Sequence, residues 1–284
     1  MKVGEPVIIN LACTGAISTR TMSPHVPLSH SEIVDDVAQC LAQGVQMLHL
    51  HARDESGMQS SDPDRYGRLI EAIRQLPGGA DAVLCTTTTG RHAVDFESRA
   101  QVLSLDGSAR PDMASLTLSS LNFLHSASVN TPDTIRRLAQ RMQECGVRPE
   151  LEVFDLGMVN FAQVLWKEGL ITPPFYFNVL LGNIAGAQPD PLSLAAILNA
   201  LPINSVVSLA GLGRSQLGAN GLGMLLADGV RVGLEDNLWF DPARTQIATN
   251  VALVGRVIRL ARELDRPLAS RKDVRWRLGL KSVV

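Results

Sequence analysis

Short runs of β-forming apolar residues alternate along the chain with longer segments that carry helical signals. An apolar run of roughly four to eight residues, bounded by turn-forming residues, is typical of a buried strand. Eight strand–helix units follow one another in this way. The predicted strands are residues 7–13, 45–51, 82–88, 113–118, 150–154, 175–181, 205–209 and 230–235.

The segments between the strands show where helices begin. Ser29 followed three residues later by Glu32 is a capping box, a pattern that satisfies free backbone N–H groups at a helix start. Ile33, Val37 and Leu41 come next at the spacing of one helical face. The other interstrand segments carry comparable signals, so we expect a helix after each strand.

This unbroken alternation predicts an α/β fold, a (β/α)8 or TIM barrel, with an open doubly wound sheet as the alternative. The length of 284 residues fits a barrel, for which about 250 residues is typical. No low-complexity tract or Pro/Gly-rich linker divides the chain. We therefore expect one domain, with residues from about 268 to 284 forming a short C-terminal extension that packs on the barrel or on a neighbouring subunit.

Composition argues against several partners. The 26 basic and 28 acidic residues leave a formal net charge of −2, which offers no attraction for nucleic acid or an anionic membrane. No apolar run approaches the roughly 18 residues of a membrane span. The four cysteines are widely spaced, and the N-terminal segment has no signal-peptide pattern. We therefore expect reduced thiols in a cytoplasmic protein.

The pair His49 and His51 stands at the end of the second predicted strand. Residues i and i+2 of a strand point to the same face, so both imidazoles are aimed at one spot. In the last predicted strand the same parity places Arg231 and Glu235 on the face opposite the apolar residues, towards the barrel interior. The first and last strands of a closed barrel are neighbours, so we expect Glu235 close to the two histidines.

Two histidines and a glutamate with one open position are typical of a catalytic zinc site, which polarises a substrate carbonyl. The alternatives are structural histidines and a structural ion pair between Glu235 and Arg231. Asp236 follows directly, and the pattern leaves open whether it is a surface carboxylate, an orienting group or a catalytic base.

The ends of the third and fourth predicted strands are unusually polar. Hydroxyls and backbone N–H groups at strand tops could hold a carboxylate or an oxyanion, although β-propensity and helix capping also favour such residues there. The candidate substrate-binding residues are Thr87, Thr88, Gly90, Ser115, Thr117 and Asn122.

Glycines also follow the seventh predicted strand, where the next helix begins. Gly211 and Gly213 allow close approach of a ligand to the backbone, and Arg214 favours an anionic one. Loops in this position commonly bind phosphate in barrels.

Taken in order, these motifs resemble the β-keto acid cleavage enzymes over nearly the whole chain. The matching stretches are Thr14-Gly15-Ala16, His49-Leu50-His51 with Arg53, Pro111-Asp112-Met113-Ala114-Ser115, Leu121-Asn122-Phe123, Pro149-Glu150-Leu151-Glu152-Val153, Gly157-Met158-Val159, Ala210-Gly211-Leu212-Gly213-Arg214 and Gly233-Leu234-Glu235-Asp236-Asn237.

The resemblance implies a TIM barrel, assembled as a homotetramer, that binds zinc through His49, His51 and Glu235. It implies that a β-keto acid and acetyl-CoA give acetoacetate and a new acyl-CoA by a Claisen and retro-Claisen route. Arg231 and Asp236 occupy the places of the pair that removes the C2 proton. The anion expected near Gly211, Gly213 and Arg214 is then CoA.

The sequence departs from the family's prototype at the substrate end. The prototype has a Glu after Thr-Gly-Ala, suited to a substrate amino group, where this chain has Ile17. Burying an ammonium against Ile17 without a partner is costly, so we expect a substrate without an amino group. The strand 3 loop differs at Thr87-Thr88-Thr89-Gly90, which Arg91 and His92 follow, and Thr117 replaces an Asn.

Ile17 favours a neutral or apolar β-keto acid, whereas Arg91 and His92 favour a dicarboxylic one as the second choice. The rival functions are a metal-dependent aldolase or hydrolase that acts without CoA, and a barrel without catalytic activity.

Overall fold

The computed structural model describes residues 1–91 and 95–281, and the eight predicted strands form a closed parallel barrel within these ranges. Around the barrel the order is β1, β2, β3, β4, β7, β8, β9, β10 and back to β1. The short strands β5 and β6 form a separate antiparallel hairpin. The strands are β1 (Ile8–Ala12), β2 (Met47–Leu50), β3 (Val83–Thr86), β4 (Met113–Thr117), β5 (Leu121–Asn122), β6 (Ala127–Ser128), β7 (Arg148–Val153), β8 (Phe175–Leu181), β9 (Ser205–Gly211) and β10 (Gly229–Val232).

Nine α-helices in the described ranges cover the outside of the barrel and its amino-terminal end. They are α1 (His30–Ala42), α2 (Pro63–Gln75), α3 (Phe96–Ala100), α4 (Pro132–Glu144), α5 (Leu156–Lys167), α6 (Pro191–Ala200), α7 (Gln216–Leu226), α8 (Asn250–Glu263) and α9 (Arg271–Arg277). The predicted closed barrel is thus confirmed, and the open sheet is wrong. None of the helices in this part of the chain is long and apolar enough to cross a membrane.

The capping box predicted at the start of α1 is present. The Ser29 hydroxyl accepts from the backbone N–H of Glu32, and the Glu32 carboxylate accepts from the N–H of Ser29. The buried residues of α1 include Ile33, Val37 and Leu41, so one face of the helix packs inward as its spacing predicts.

Strand β1 lies between β10 and β2, which brings the first and last units of the chain together. Asn10 pairs with Arg231 across one edge, and Ala12 pairs with His49 across the other. The last strand is shorter than predicted, because it ends at Val232 rather than at residue 235. Gly233 follows with a φ of +151° and packs against the Ala12 carbonyl, where a side chain would clash. Glu235 therefore lies on the loop that follows β10.

Residues 268–281, the described part of the predicted C-terminal extension, pack against the barrel. Val274 and Leu278 belong to one buried cluster with Ile8 and Met47 of the inner strands. The guanidinium of Arg275 donates to the Asp112 carboxylate over 2.8 Å, which ties this segment to the loop before β4. The segment thus closes the amino-terminal end of the barrel, opposite the strand ends that carry the histidines.

Candidate active site

His49, His51 and Glu235 meet at the carboxyl ends of the strands. His49 lies on β2, His51 follows its end, and their ring centroids are 5.3 Å apart. One carboxylate oxygen of Glu235, Oε1, lies 3.3 Å from Nε2 of His51 and 4.0 Å from Nε2 of His49. The three ligand atoms all lie within 4.8 Å of one another, so one metal ion could contact all three.

The hydrogen bonding and charge of these side chains suit the binding of a metal ion. Within the described chain, neither ring nitrogen of His51 makes a hydrogen bond, and Oε2 of Glu235 has no partner. Burial lowers the pKa of His51, which keeps the imidazole neutral. Burial disfavours the charged form of Glu235, but the guanidinium of Arg231 holds its pKa well below the ordinary value. A cation between the two imidazoles and the carboxylate would offset the cost of burying these unpaired atoms.

Two other residues of the shared motifs shape the loop beneath Glu235. Gly15 has a φ of +71°, and a side chain there would place its Cβ 2.5 Å from Cγ of Glu235. Arg53 donates to the carbonyl of Gly15 and, over 3.0 Å, to that of Ser18. Arg53 therefore holds the loop after β1 in place, and Gly15 leaves room for the Glu235 side chain.

Glu150 lies behind the first histidine and was not assigned a role from the sequence. It is completely buried on β7, and its Oε2 lies 2.6 Å from Nδ1 of His49. Asn10 and Asn178 donate to its other oxygen over 2.9 and 3.2 Å. Burial disfavours its ionisation, but His49 and Arg231 hold the pKa of Glu150 below the ordinary value. The carboxylate can thus accept from Nδ1–H and leave Nε2 of His49 free for a metal.

A second set of side chains with metal-binding atoms is His49, Cys85 and Glu150. Here the thiol of Cys85 donates to Oε2 of Glu150 over 3.2 Å, and Nδ1 of His49 contacts the same oxygen. The atoms of this set are already hydrogen bonded to one another. This geometry favours an orienting role over metal ligation.

Arg231 and Asp236 form a buried ion pair beside the possible ligands. Nε and Nη2 of Arg231 donate to the two oxygens of Asp236 over 2.9 and 3.0 Å. Nη2 also lies 2.8 Å from Oε1 of Glu235. Burial raises the pKa of Asp236, and the adjacent guanidinium opposes that shift. The result is an oriented carboxylate that binds a proton more readily than a solvated aspartate.

A cavity of about 130 Å³ opens onto these groups. Three of the residues expected to contact substrate line it: Ile17, Thr87 and Thr117. Ile17 is 43% exposed, so an apolar surface is offered to whatever enters. The hydroxyl of Thr117 donates to Glu152 over 2.6 Å. The lining therefore combines an apolar surface with hydroxyls and a carboxylate.

The other candidate substrate residues do not line this cavity. Thr88 donates from its hydroxyl to the carbonyl of Ser115 over 2.6 Å, and its N–H donates to the Ser115 hydroxyl. Gly90 lies against the Val129 carbonyl and the Arg99 guanidinium, and Asn122 is exposed on the β5–β6 hairpin. The contacts of Thr88 with Ser115 thus join the end of β3 to β4, outside the cavity lining.

Arg91, which the sequence suggested for a second substrate carboxylate, lines the cavity, and His92 lies outside the described residues. Three further cavity or supporting residues were not placed in the site from the sequence. Glu150 and Glu152 alternate on β7, and Phe123 lies on a loop. The alternation of Glu150 and Glu152 was a usable signal, because residues i and i+2 of a barrel strand share a face. The position of Phe123 had no such signal, since loop conformation is not periodic.

The residues expected near CoA lie beside the cavity rather than in it. Gly211 ends β9, and the N–H of Gly213 donates to the Asp236 carbonyl over 2.7 Å. Arg214 is exposed and lines a separate shallow cleft with Arg244 and Arg256. The contact between Gly213 and Asp236 joins the segments after β9 and β10, which carry Arg214 and Arg244, and Arg256 lies on α8.

A closed parallel barrel with histidines, carboxylates and a buried Arg–Asp pair at its strand ends defines a TIM-barrel enzyme with a site able to hold a metal ion. The family model for beta-keto acid cleavage enzyme matches residues 6–280, and the chain belongs to this family. As its relatives indicate, it is an enzyme with transferase activity.

Two curated relatives match nearly end to end. The 3-keto-5-aminohexanoate cleavage enzyme of Acetoanaerobium sticklandii is 32% identical over 280 residues, which cover 97% of this chain and 99% of the relative. The 3-oxoadipate:acetyl-CoA acetyltransferase of Cupriavidus necator is 34% identical over 283 residues, 98% of this chain and 96% of the relative.

Among solved structures, the apo structure of ObcA matches with a TM-score of 0.78. The match covers 91% of this chain and 66% of that chain, at 20% identity. It supports the barrel fold.

Proposed function

We propose that this protein is a zinc-dependent β-keto acid cleavage enzyme that uses acetyl-CoA as co-substrate and acts on a β-keto acid without an amino group. One observation carries the proposal: the possible ligands His49, His51 and Glu235 stand beside the buried pair of Arg231 and Asp236, all on one cavity. The family and the names of the relatives support the reaction class.

In this proposal His49, His51 and Glu235 hold the zinc ion, and Glu150 orients His49. When bound, zinc would polarise the keto oxygen and so lower the cost of an enolate. Burial keeps His51 neutral, as a ligand must be.

Asp236 takes the proton from C2 of the keto acid. Its two hydrogen bonds to Arg231 point the carboxylate into the cavity, and burial raises its pKa towards that of a useful base. Arg231 also contacts Glu235, so the guanidinium fixes the base relative to the ligand set.

The enolate then attacks the acetyl carbonyl, and a bond forms between C2 and the acetyl group. The bond between the acetyl carbon and the CoA sulfur breaks, and the released thiolate adds to the original C3 carbonyl. The C2–C3 bond then breaks, and C2 takes back the proton held by Asp236, so that acetoacetate leaves with the acetyl group. The products are acetoacetate and the CoA ester of the remaining acyl group. No covalent enzyme nucleophile is needed, and the buried Cys85 is hydrogen bonded to Glu150.

Ile17, Thr87 and Thr117 contact the substrate in this proposal, since they line the cavity. Thr88, Gly90, Ser115 and Asn122 support it through the contacts between β3, β4 and the hairpin.

The CoA phosphates lie against Arg214 in the neighbouring cleft. The cleft also holds Arg244 and Arg256, and Nε and Nη2 of Arg256 have no hydrogen-bond partner in the described chain. Guanidinium groups with free donors are well suited to phosphate oxygens. Gly211 and Gly213 let the backbone approach the bound CoA closely.

The test is a screen of purified, zinc-quantified protein with acetyl-CoA and a panel of β-keto acids, in which acetoacetate and the new CoA ester are measured together. Formation of both products in equal amounts supports the proposal. A protein with one zinc per chain that cleaves keto acids without any CoA ester is instead a CoA-independent aldolase or hydrolase. Light scattering on the same sample checks the homotetramer, and cell fractionation checks the cytoplasmic location.

A further inference from the structure

Arg91 is held in a defined position on the wall of the substrate cavity. Its guanidinium carbon lies 3.3 Å from the centroid of the Phe123 ring, and both residues line the cavity that His49 and Glu235 also line. Phe123 is itself fixed by an edge-to-face contact with Phe154, with ring centroids 5.9 Å apart. A guanidinium stacked on a supported ring loses little freedom when it binds a ligand.

Arg91 differs from Arg231 in its charged partners. The charge of Arg231 is paired, since Nε and Nη2 contact Asp236 and Glu235 at 3.0 Å or less, while its Nη1 lies 3.7 Å from Glu152. In residues 1–91 and 95–281 no carboxylate lies within 4.0 Å of the Arg91 guanidinium. Burial lowers its pKa, and the carboxylates of Glu235 and Glu152 oppose that shift only from a distance. A half-buried cation without a partner is costly unless a ligand supplies the anion.

The surroundings of Arg91 indicate what kind of anion fits. Ile17 lines the same cavity and offers an apolar surface, which suits methylene groups and disfavours a bare phosphate. The hydroxyls of Thr87 and Thr89 line it as well and can add hydrogen bonds to a carboxylate. The cavity lining therefore combines the possible metal ligands, an apolar surface and a cationic group.

We infer that the substrate is a dicarboxylic β-keto acid, and that Arg91 binds the carboxylate distal to the keto group. This inference rests on the proposed function, in which the C1 carboxylate and the keto oxygen lie at the metal ligands. The apolar surface of Ile17 then packs against the methylenes between the two ends. The reaction gives acetoacetate and a CoA ester that keeps the distal carboxylate.

The experiment compares two keto acids of equal chain length, 3-oxoadipate with a distal carboxylate and 3-oxohexanoate without one. We expect kcat/KM of the unaltered enzyme to be about 100-fold higher for 3-oxoadipate, since a desolvated charge pair is worth about that factor. Arg91→Gln should lose about 100-fold on 3-oxoadipate and less than about threefold on 3-oxohexanoate. Retained turnover of 3-oxohexanoate shows that the variant is folded.

Two further variants sharpen the comparison. Arg91→Lys keeps the charge but loses the bidentate fork, so its loss on 3-oxoadipate should be intermediate, about tenfold. Arg141→Gln removes an exposed arginine on α4, outside the cavity, and should leave both substrates unaffected.

Several results would overturn the inference. An equal fall in kcat/KM on both keto acids would place the C1 carboxylate at Arg91. A change confined to a higher KM for acetyl-CoA would place a CoA phosphate there. A preference of the unaltered enzyme for 3-oxohexanoate would likewise show that its substrate has no distal carboxylate. Calorimetric binding of the two acids without acetyl-CoA separates this inference from the proposed reaction. Arg91-dependent binding of 3-oxoadipate without turnover would support the carboxylate site and contradict the acyl exchange.

Discussion

Nδ1 of His49 lies 2.6 Å from Oε2 of Glu150, although 101 residues separate the two in sequence. This contact fixes which ring nitrogen of His49 faces the possible metal position. Glu150 is held in turn by Asn10, Asn178 and Cys85. The polar residues inside the barrel thus orient His49, one of the possible metal ligands.

Glu150→Gln should weaken zinc binding about 10- to 100-fold, because an amide accepts less strongly from Nδ1–H and can present its NH₂ instead. The measurement is the zinc dissociation constant by competition with a chelator. Glu144→Gln, on the exposed side of α4, is the control. An unchanged zinc affinity would limit Glu150 to supporting the barrel.

Asp236→Asn should keep one zinc per chain and lower kcat about 10²- to 10⁴-fold, because the amide cannot take the C2 proton. Metal analysis and steady-state kinetics give the two quantities. Exchange of the C2 hydrogens with deuterated water, followed by NMR without acetyl-CoA, isolates the proton-transfer step. Normal exchange in the variant would remove Asp236 from that step.

Ile17→Glu should raise the preference for an amino-substituted keto acid over its neutral counterpart about tenfold, because the new carboxylate pairs with the ammonium. Residue 17 lines the cavity, so the side chain is within reach of substrate. Ile17→Gln, of similar size but uncharged, separates charge from shape. Equal kcat/KM ratios in the two variants would argue against a role of charge here.

Arg214→Gln should raise KM for acetyl-CoA about tenfold and leave that for acetyl-pantetheine unchanged, because acetyl-pantetheine lacks the phosphates. The rise should shrink at high ionic strength in step with screening. If both thioesters were affected equally, Arg214 would act on the shape of the loop rather than on phosphate.

Asp36→Asn should stabilise the protein by about 3 kcal/mol at pH 8 and by about half as much at pH 5. Burial raises the pKa of Asp36 from 3.8 to about 6, and Asn250 donates to its carboxylate over 2.6 Å. Between these two pKa values the folded state holds a proton that the unfolded state releases. Stability therefore falls as the pH rises towards 6, and the ionised carboxylate remains a penalty above it.

Asn at position 36 keeps an acceptor for Asn250 and cannot ionise. Urea unfolding of both proteins at pH 5 and pH 8 gives the comparison. A stability difference that is the same at the two pH values would show that Asp36 is solvated in the folded protein.

Much of the barrel could be predicted from the sequence because its information is local and periodic. Strand parity predicted that His49 and His51 share a face, and chain order predicted that β1 lies between β2 and β10. Glu235 could be placed near the histidines on the same reasoning, although it lies on a loop after Gly233 rather than on the strand.

The threonines near the strand ends could not be assigned to the cavity from local sequence alone. Thr87 and Thr117 line the cavity, whereas Thr88 bonds to β4 and lies behind it. All three are threonines near strand ends, so composition could not distinguish them. Their directions depend on the backbone path after each strand and on the partners that the neighbouring strand offers.

The sequence by itself determined the order of the strands, the shared face of the two histidines and the family. The tertiary structure decided which distant groups complete the site: Glu150 behind His49, and Arg91 stacked on Phe123 in the same cavity. The physical reason is that periodicity fixes the direction of a side chain relative to its own strand. Contacts between elements far apart in the chain arise only when the barrel closes and each buried charge or donor takes the partner within reach.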